Sequence, residues 1–131
     1  MISLKFQNEI INIIANHFIL KQISEEIRQA RYYSIMADEV TTHNTEELSL
    51  CVRFVDKESN IREEFLKFIQ LDRITGRCIA AAIKQCLKDL DIDIRNMRGQ
   101  GYDGASNMSS EICGVQAIGN CSDSTCHILR M

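Results

Sequence analysis

The 131-residue chain has no proline and no tryptophan, and only six glycines. Without proline there is no polyproline spacer, so no segment reads as a linker by composition. An excess of one charge is missing too: 15 Lys and Arg stand against 18 Asp and Glu, a net charge of −3 with no lysine-rich arm. That excludes nucleic-acid binding by bulk charge alone. It does not exclude an enzyme that holds phosphates through metal ions. No apolar run approaches the roughly 18 residues of a membrane span. The opening MISLKFQNEI has Glu9 inside it and no small-residue cleavage site, so it does not read as a secretory signal. The length suits one domain with one core.

No C-x-x-C pair occurs among the six cysteines at 51, 78, 86, 113, 121 and 126. An even count without a signal peptide is poor evidence for disulfides. Cys51, in a strand-like run, and Cys78 and Cys86, in a helical run, read as small buried hydrophobes. Cys121, Cys126 and His127 form at most part of a zinc site, because the spacing fits no finger and a fourth ligand is lacking.

What is present is a change of period along the chain. Phe6, Ile10, Ile13, Ile14 and Phe18 recur at helical spacing and predict a helix over 4–20. A second helix is expected over 24–31, with Ser24 as N-cap, Glu25 and Glu26 at the positive end of its dipole, and Ile23, Ile27 and Arg31 on one face. Strands are expected over 32–41, 48–56 and 61–71, joined by short polar loops as an antiparallel meander; the third does not alternate cleanly. Ile79, Ile83, Cys86, Leu87 and Leu90 mark a helix over 75–90, capped by Thr75. Extended structure is expected over 91–99, a loop at GYDGASNM, and a helix over 107–117. The order is α-α-β-β-β-α-β-loop-α. The crossover helix implies a fourth strand parallel to an earlier one.

The segment RGQGYDGASNMSSE contains Gly99, Gly101 and Gly104 at G-x-G-x-x-G spacing. A dinucleotide loop would need an apolar strand before it and a long βαβ continuation. The preceding segment is charged instead, and Asp103 would face a pyrophosphate that it repels. The other reading puts Asp103 at the centre, with glycines on either side letting a sugar-phosphate backbone approach. Asp38, in SIMADEVT, is a second such acid, on the face of Ser34 and Met36 and opposite Ile35 and Ala37. Two carboxylates about 4–6 Å apart repel by about 3–4 kcal/mol at an effective dielectric near 20. A divalent cation between them removes that repulsion, and magnesium suits few carboxylates, several waters and phosphate oxygens. The bland alternative is a strand-end turn at Asp38 and an ordinary Asp-Gly turn at Asp103.

The segments YYSIMADEVTT, EELSLCVRFVD, IREEFLKFIQL and MRGQGYDGASNMSSEICGVQA together resemble the catalytic core of hAT-superfamily transposases, in the branch that includes zinc finger MYM-type protein 1. The likeness runs from about Leu4 to Ala117. It implies an α/β, partial ribonuclease-H-like fold: N-terminal helices over 1–31, a core over 32–117 and a divergent tail over 118–131. It implies that Asp38 and Asp103 are two of three metal-binding catalytic acids, with Mg2+ or Mn2+ as cofactor, DNA as partner and the nucleus as location. It departs from the family at three points. The third acid belongs downstream of Met131. Thr42 and His43 stand where the family often has another aspartate. Cys126 and His127 are adjacent rather than spaced as Cys-x-x-His. The zinc finger expected upstream is also absent. Two functions follow. One is a truncated transposase-like domain, inactive for lack of the third acid. The other is a non-catalytic interaction module, with a protein partner or self-association. His17 reads as a helix-face residue and His43 as a solvated loop residue. Arg98 reads as either a phosphate contact or plain surface charge.

Overall fold

The N-terminal apolar stripe does form a helix, but that helix does not end where the sequence suggests. The computed structural model describes residues 2–73, 75–102 and 127–130. Ser3 caps the first helix, its side chain accepting from the Phe6 amide at 3.3 Å, and α1 runs Leu4–Ile13. A π-helical stretch, Ile14–Ile19, leads straight into α2, Leu20–Ala30. No residue of α1 or of the π stretch is buried, and Phe6, Ile13 and Phe18 lie open. His17 sits on this arm, edge-on to the Phe18 ring. The expected break at Ser24 does not exist. Ser24 is buried inside α2, its hydroxyl donating back to the Leu20 carbonyl at 2.7 Å. Ser-Glu-Glu mimics an entry box, but a serine with an i−4 carbonyl in reach is also content within a helix. Arg31 leaves the helix face altogether, turning at φ 71°, ψ −52°.

The meander follows: β1 at Tyr33–Thr42, β2 at Thr45–Val55 and β3 at Ile61–Gln70. His43 and Asn44, both at positive φ, make the two-residue turn between β1 and β2 whose twist suits a hairpin. The second turn is closed by Asp56, whose carboxylate accepts the Asn60 amide at 2.8 Å. That hydrogen bond, with a lesser contribution from Arg62, holds the Asp56 carboxyl below its usual range. The blurred alternation of β3 has a cause. The β2–β3 register shifts between Leu50 and Cys51, so Leu66 is an extra residue on β3 and the inward phase slips by one.

Thr75 caps α3, Gly76–Asp89, accepting from the Cys78 amide at 3.3 Å. Ile79, Ile83, Cys86 and Leu87 are buried along its inner stripe as expected. The 91–99 segment is not extended throughout. A short 3-10 turn, Ile94–Asn96, comes first because Asp93 accepts from the Arg95 amide and side chain. Only then does β4 begin, at Met97–Tyr102. A fifth strand, β5 at His127–Arg130, lies within the segment read as a divergent tail. The expected loop beyond Tyr102 and the helix over 107–117 lie outside the described residues. So do Cys113, Cys121 and Cys126.

The sheet order is β3-β2-β1-β4-β5, with β1, β2 and β3 antiparallel and the pairs β1–β4 and β4–β5 parallel. This is the α/β, ribonuclease-H-like arrangement expected from the sequence, with N-terminal helices. Tyr33, Ile35, Ala37, Leu50, Val52 and Phe54 line one face of the sheet, and α2 and α3 pack on it through Ile23, Ile27, Ile79 and Ile83. The cysteines fare unequally: Cys86 is buried and its thiol pKa is pushed up by burial, Cys51 is half-buried, and Cys78 is exposed on the outer side of α3.

Candidate metal centre

Strand alternation fixes where Asp38 points. Its neighbours Ile35 and Ala37 are buried against the helices, so Ser34, Met36 and Asp38 belong to the opposite face. Asp38 is not the end of β1, which continues to Thr42 in its hairpin with β2. The parallel β1–β4 pairing runs from Tyr33–Met97 to Ala37–Tyr102, and Asp38 is the next residue of β1. Asp103 lies outside the described residues. The residue bonded to it, Tyr102, is the partner of the residue bonded to Asp38.

The Asp38 side chain is exposed, with no hydrogen bond or ion pair among the described residues. It is a hard oxygen donor open to solvent, which suits magnesium or manganese rather than a soft metal. Among the described residues there is no group of three His, Cys, Asp or Glu that could hold a metal by itself. His43 is at the hairpin tip, five residues beyond Asp38, and is exposed as expected. Glu39 was not singled out by the sequence reading. Alternation sends it to the inner face, opposite Leu48, where its Oε1 is enclosed. Glu39 as a residue is half-buried.

The glycines take a different role from a loop. Gly99 and Gly101 are inside β4, paired with Ser34 and Met36, and so belong to the Asp38 face. They have no positive φ. Their effect is to leave a strip of that face without side chains. On the inner face the alternate residues Gln100 and Tyr102 are buried, the tyrosine hydroxyl donating to the side-chain amide oxygen Oε1 of Gln100 at 2.8 Å.

Two other clusters carry charge. A cleft of about 460 Å³ between α2 and the β2–β3 turn is lined by Glu26, Asp56, Glu58 and Arg62. Arg62 fills it electrostatically, reaching Glu26 at 3.2 Å and Glu64 as well. At the start of β1 and β4, on the Asp38 face, Arg31 and Arg98 both lie over the ring of Tyr32. No helix among the described residues is long and apolar enough to cross a membrane.

Residues 1–114 match the family DUF4371, described as "ZMYM1/FAM200, RNase-like domain". Two curated relatives are similar, the human and the mouse "52 kDa repressor of the inhibitor of the protein kinase". Each is 29% identical over 100 residues, covering 76% of this chain and 13% of the relative. The chain thus corresponds to a small part of those proteins.

Proposed function

Because the chain belongs to the DUF4371 family of ZMYM1/FAM200 RNase-like domains, we propose that it is derived from the catalytic core of a hAT-type transposase and that Asp38 and Asp103 are two of the metal-binding acids of that core. The observation that carries this reading is the parallel β1–β4 pairing, which sets Ala37 opposite Tyr102, the residues bonded to the two acids. Neighbouring strands lie about 4.8 Å apart, and consecutive Cα atoms about 3.8 Å. Two acids that each follow one member of such a strand pair in sequence suit one divalent cation. The cation, Mg2+ or Mn2+, would supply a nucleophilic water and charge stabilisation in cutting a DNA phosphodiester. The protein's own part is to fix the acids on a rigid sheet and to present the phosphate strand to them. A nuclear location goes with DNA as the partner.

Titration calorimetry with manganese tests this. Wild type is expected to bind weakly, and Asp38→Asn to lose at least tenfold in affinity while keeping the wild-type melting temperature, since Asp38 has no partner among the described residues. Equal binding by the two proteins would sink the metal site.

A second reading, a non-catalytic interaction module, is favoured by the uncovered face of the sheet. Val55, Ile61, Phe65 and Phe68 are each about half exposed or more there, and the apolar arm of α1 is open as well. Patches of this kind mark association surfaces. Sedimentation at rising concentration is expected to show self-association. A strictly monomeric protein up to about 100 μM, the middle of the μM–mM range in which exposed apolar surface drives association, would count against this reading.

A further inference from the structure

We propose that Arg31, Tyr32 and Arg98 form a phosphate-binding station for a nucleic-acid strand that lies across the Asp38 face of the sheet. The idea rests on the transposase-like reading for its ligand, but on separate residues.

Two backbone irregularities converge to build the station. The first is at Arg31, where φ is 71° and ψ −52°, and the Tyr32 amide donates to the Ala30 carbonyl at 2.9 Å. This i to i+2 bond defines the rare form of the γ-turn, which is strained for a residue with a Cβ. The second is on the neighbouring strand, where the β1–β4 register shifts between Tyr33 and Ser34 and Arg98 is the extra residue. A bulge of this kind re-aims a side chain. The γ-turn and the bulge bring both guanidinium groups to one ring, Arg31 at 5.1 Å and Arg98 at 4.3 Å from the Tyr32 centroid.

The charges are not compensated. Neither Arg31 nor Arg98 has an ion pair among the described residues, unlike Arg53, Arg62 and Arg95. Among the described residues the hydrogen bonds of the Arg98 guanidinium come from Nη1 alone, to the Arg95 and Met97 carbonyls, which fixes the group and leaves Nε and Nη2 without partners there. The two guanidinium carbons are at most about 9 Å apart. A phosphate held by a guanidinium stands roughly 4 Å from its carbon, so the two groups can each take one of two neighbouring phosphates of a strand. Cation–π attraction to Tyr32 offsets part of the repulsion between the two arginines until an anion arrives.

The setting selects a strand rather than a free ion. A shallow cavity of about 270 Å³ adjoins the station, lined by Tyr32, Ser34, Arg53, Val55, Ile61 and Arg98. Ser34 and Arg53 belong to the Asp38 face. From Tyr33 to Asp38 the sheet advances about 16 Å, or roughly five steps of 3.4 Å along a duplex axis. Gly99 and Gly101, without side chains, lie between the two ends of this path. The tyrosine ring is engaged by arginine, so the contact is to backbone phosphate and carries no base preference.

The test is fluorescence anisotropy with labelled duplex and single-stranded oligonucleotides, in EDTA, over a range of salt. Wild type is compared with Arg31→Gln/Arg98→Gln and with Arg98→Lys. The double variant is expected to lose about five- to tenfold in affinity, and its log–log salt slope for duplex to fall by about 1.8, two phosphates at about 0.9 each. Arg98→Lys should keep the slope. Matching thermal melts verify folding. Unchanged affinity and slope in the double variant would overturn the proposal. So would displacement of DNA by polyglutamate or inorganic phosphate at equal charge, which would point to a general anion site. EDTA keeps the metal question apart: failure of manganese binding leaves this result standing, and failure here leaves Asp38 untouched.

Discussion

Replacing Ser24 by aspartate is expected to cost about 3–5 kcal/mol, the penalty of an uncompensated buried charge, and so to remove much of the stability of a domain of this size. If a helix began at Ser24, aspartate would be an equal or better cap. In the structure Ser24 is 2% exposed, within a helix that runs through it, and its hydroxyl donates to the Leu20 carbonyl. A carboxylate there can neither donate to that carbonyl nor reach water. Ser24→Ala should change stability by less than about 1 kcal/mol, because the hydroxyl adds little to a carbonyl already within a helix. The deficit of the aspartate variant should also depend on pH. Burial raises the folded-state pKa of the new acid, so the deficit is full above that raised value and closes as pH falls towards about 4. Thermal melts from neutral to acidic pH check both points. A Ser24→Asp protein as stable as wild type at pH 7 would place the start of the helix at Ser24 after all.

Ile83→Ala is expected to cost about 2–5 kcal/mol, a lowering of the melting temperature by roughly 8–20 °C. Ile83 is fully buried at the middle of α3, facing the inner residues of the sheet. Its neighbours on the sheet are held by strand pairing and cannot collapse into the space left behind. The control is on the arm. Ile13 is equally apolar but 57% exposed, so Ile13→Ala should stay within about 0.5 kcal/mol. Denaturant titration of both variants measures the contrast. Equal losses would mean that the arm is packed in solution.

The same pair shows how far the fold was legible in the sequence. Periodicity at Ile79, Ile83 and Leu87 gave the crossover helix and its inner face, since that helix packs along its whole length. Periodicity at Phe6, Ile10 and Ile13 gave a helix equally well, but said nothing of burial, because an apolar stripe records a preference and not a neighbour. Arg31 was assigned to a helix face, because a positive φ at a non-glycine residue leaves no mark in sequence. The β3 pattern was blurred by the Leu66 bulge, whose cause lies in pairing with β2. At the candidate site, alternation placed Asp38 on the correct face. The strand expected over 32–41 and the extended structure at Gly99 hold, but the sequence could not show that Gly101 is a strand residue too. The glycine spacing suggested a loop, while the parallel pairing with Ser34 and Met36 is a tertiary fact.

That pairing also has a kinetic meaning. Ala37 and Tyr102 are 65 positions apart in the chain, whereas the β1–β2 hairpin closes over two residues. Contacts of such long range pay their loop-closure entropy before they return any stability, and they form late. The meander can therefore assemble while the chain is still being made, but Asp38 acquires its neighbouring strand only after α3 has folded across. Any metal chemistry at this position would switch on as the last event of folding, and the exposed apolar face would be at its most vulnerable in the interval before it.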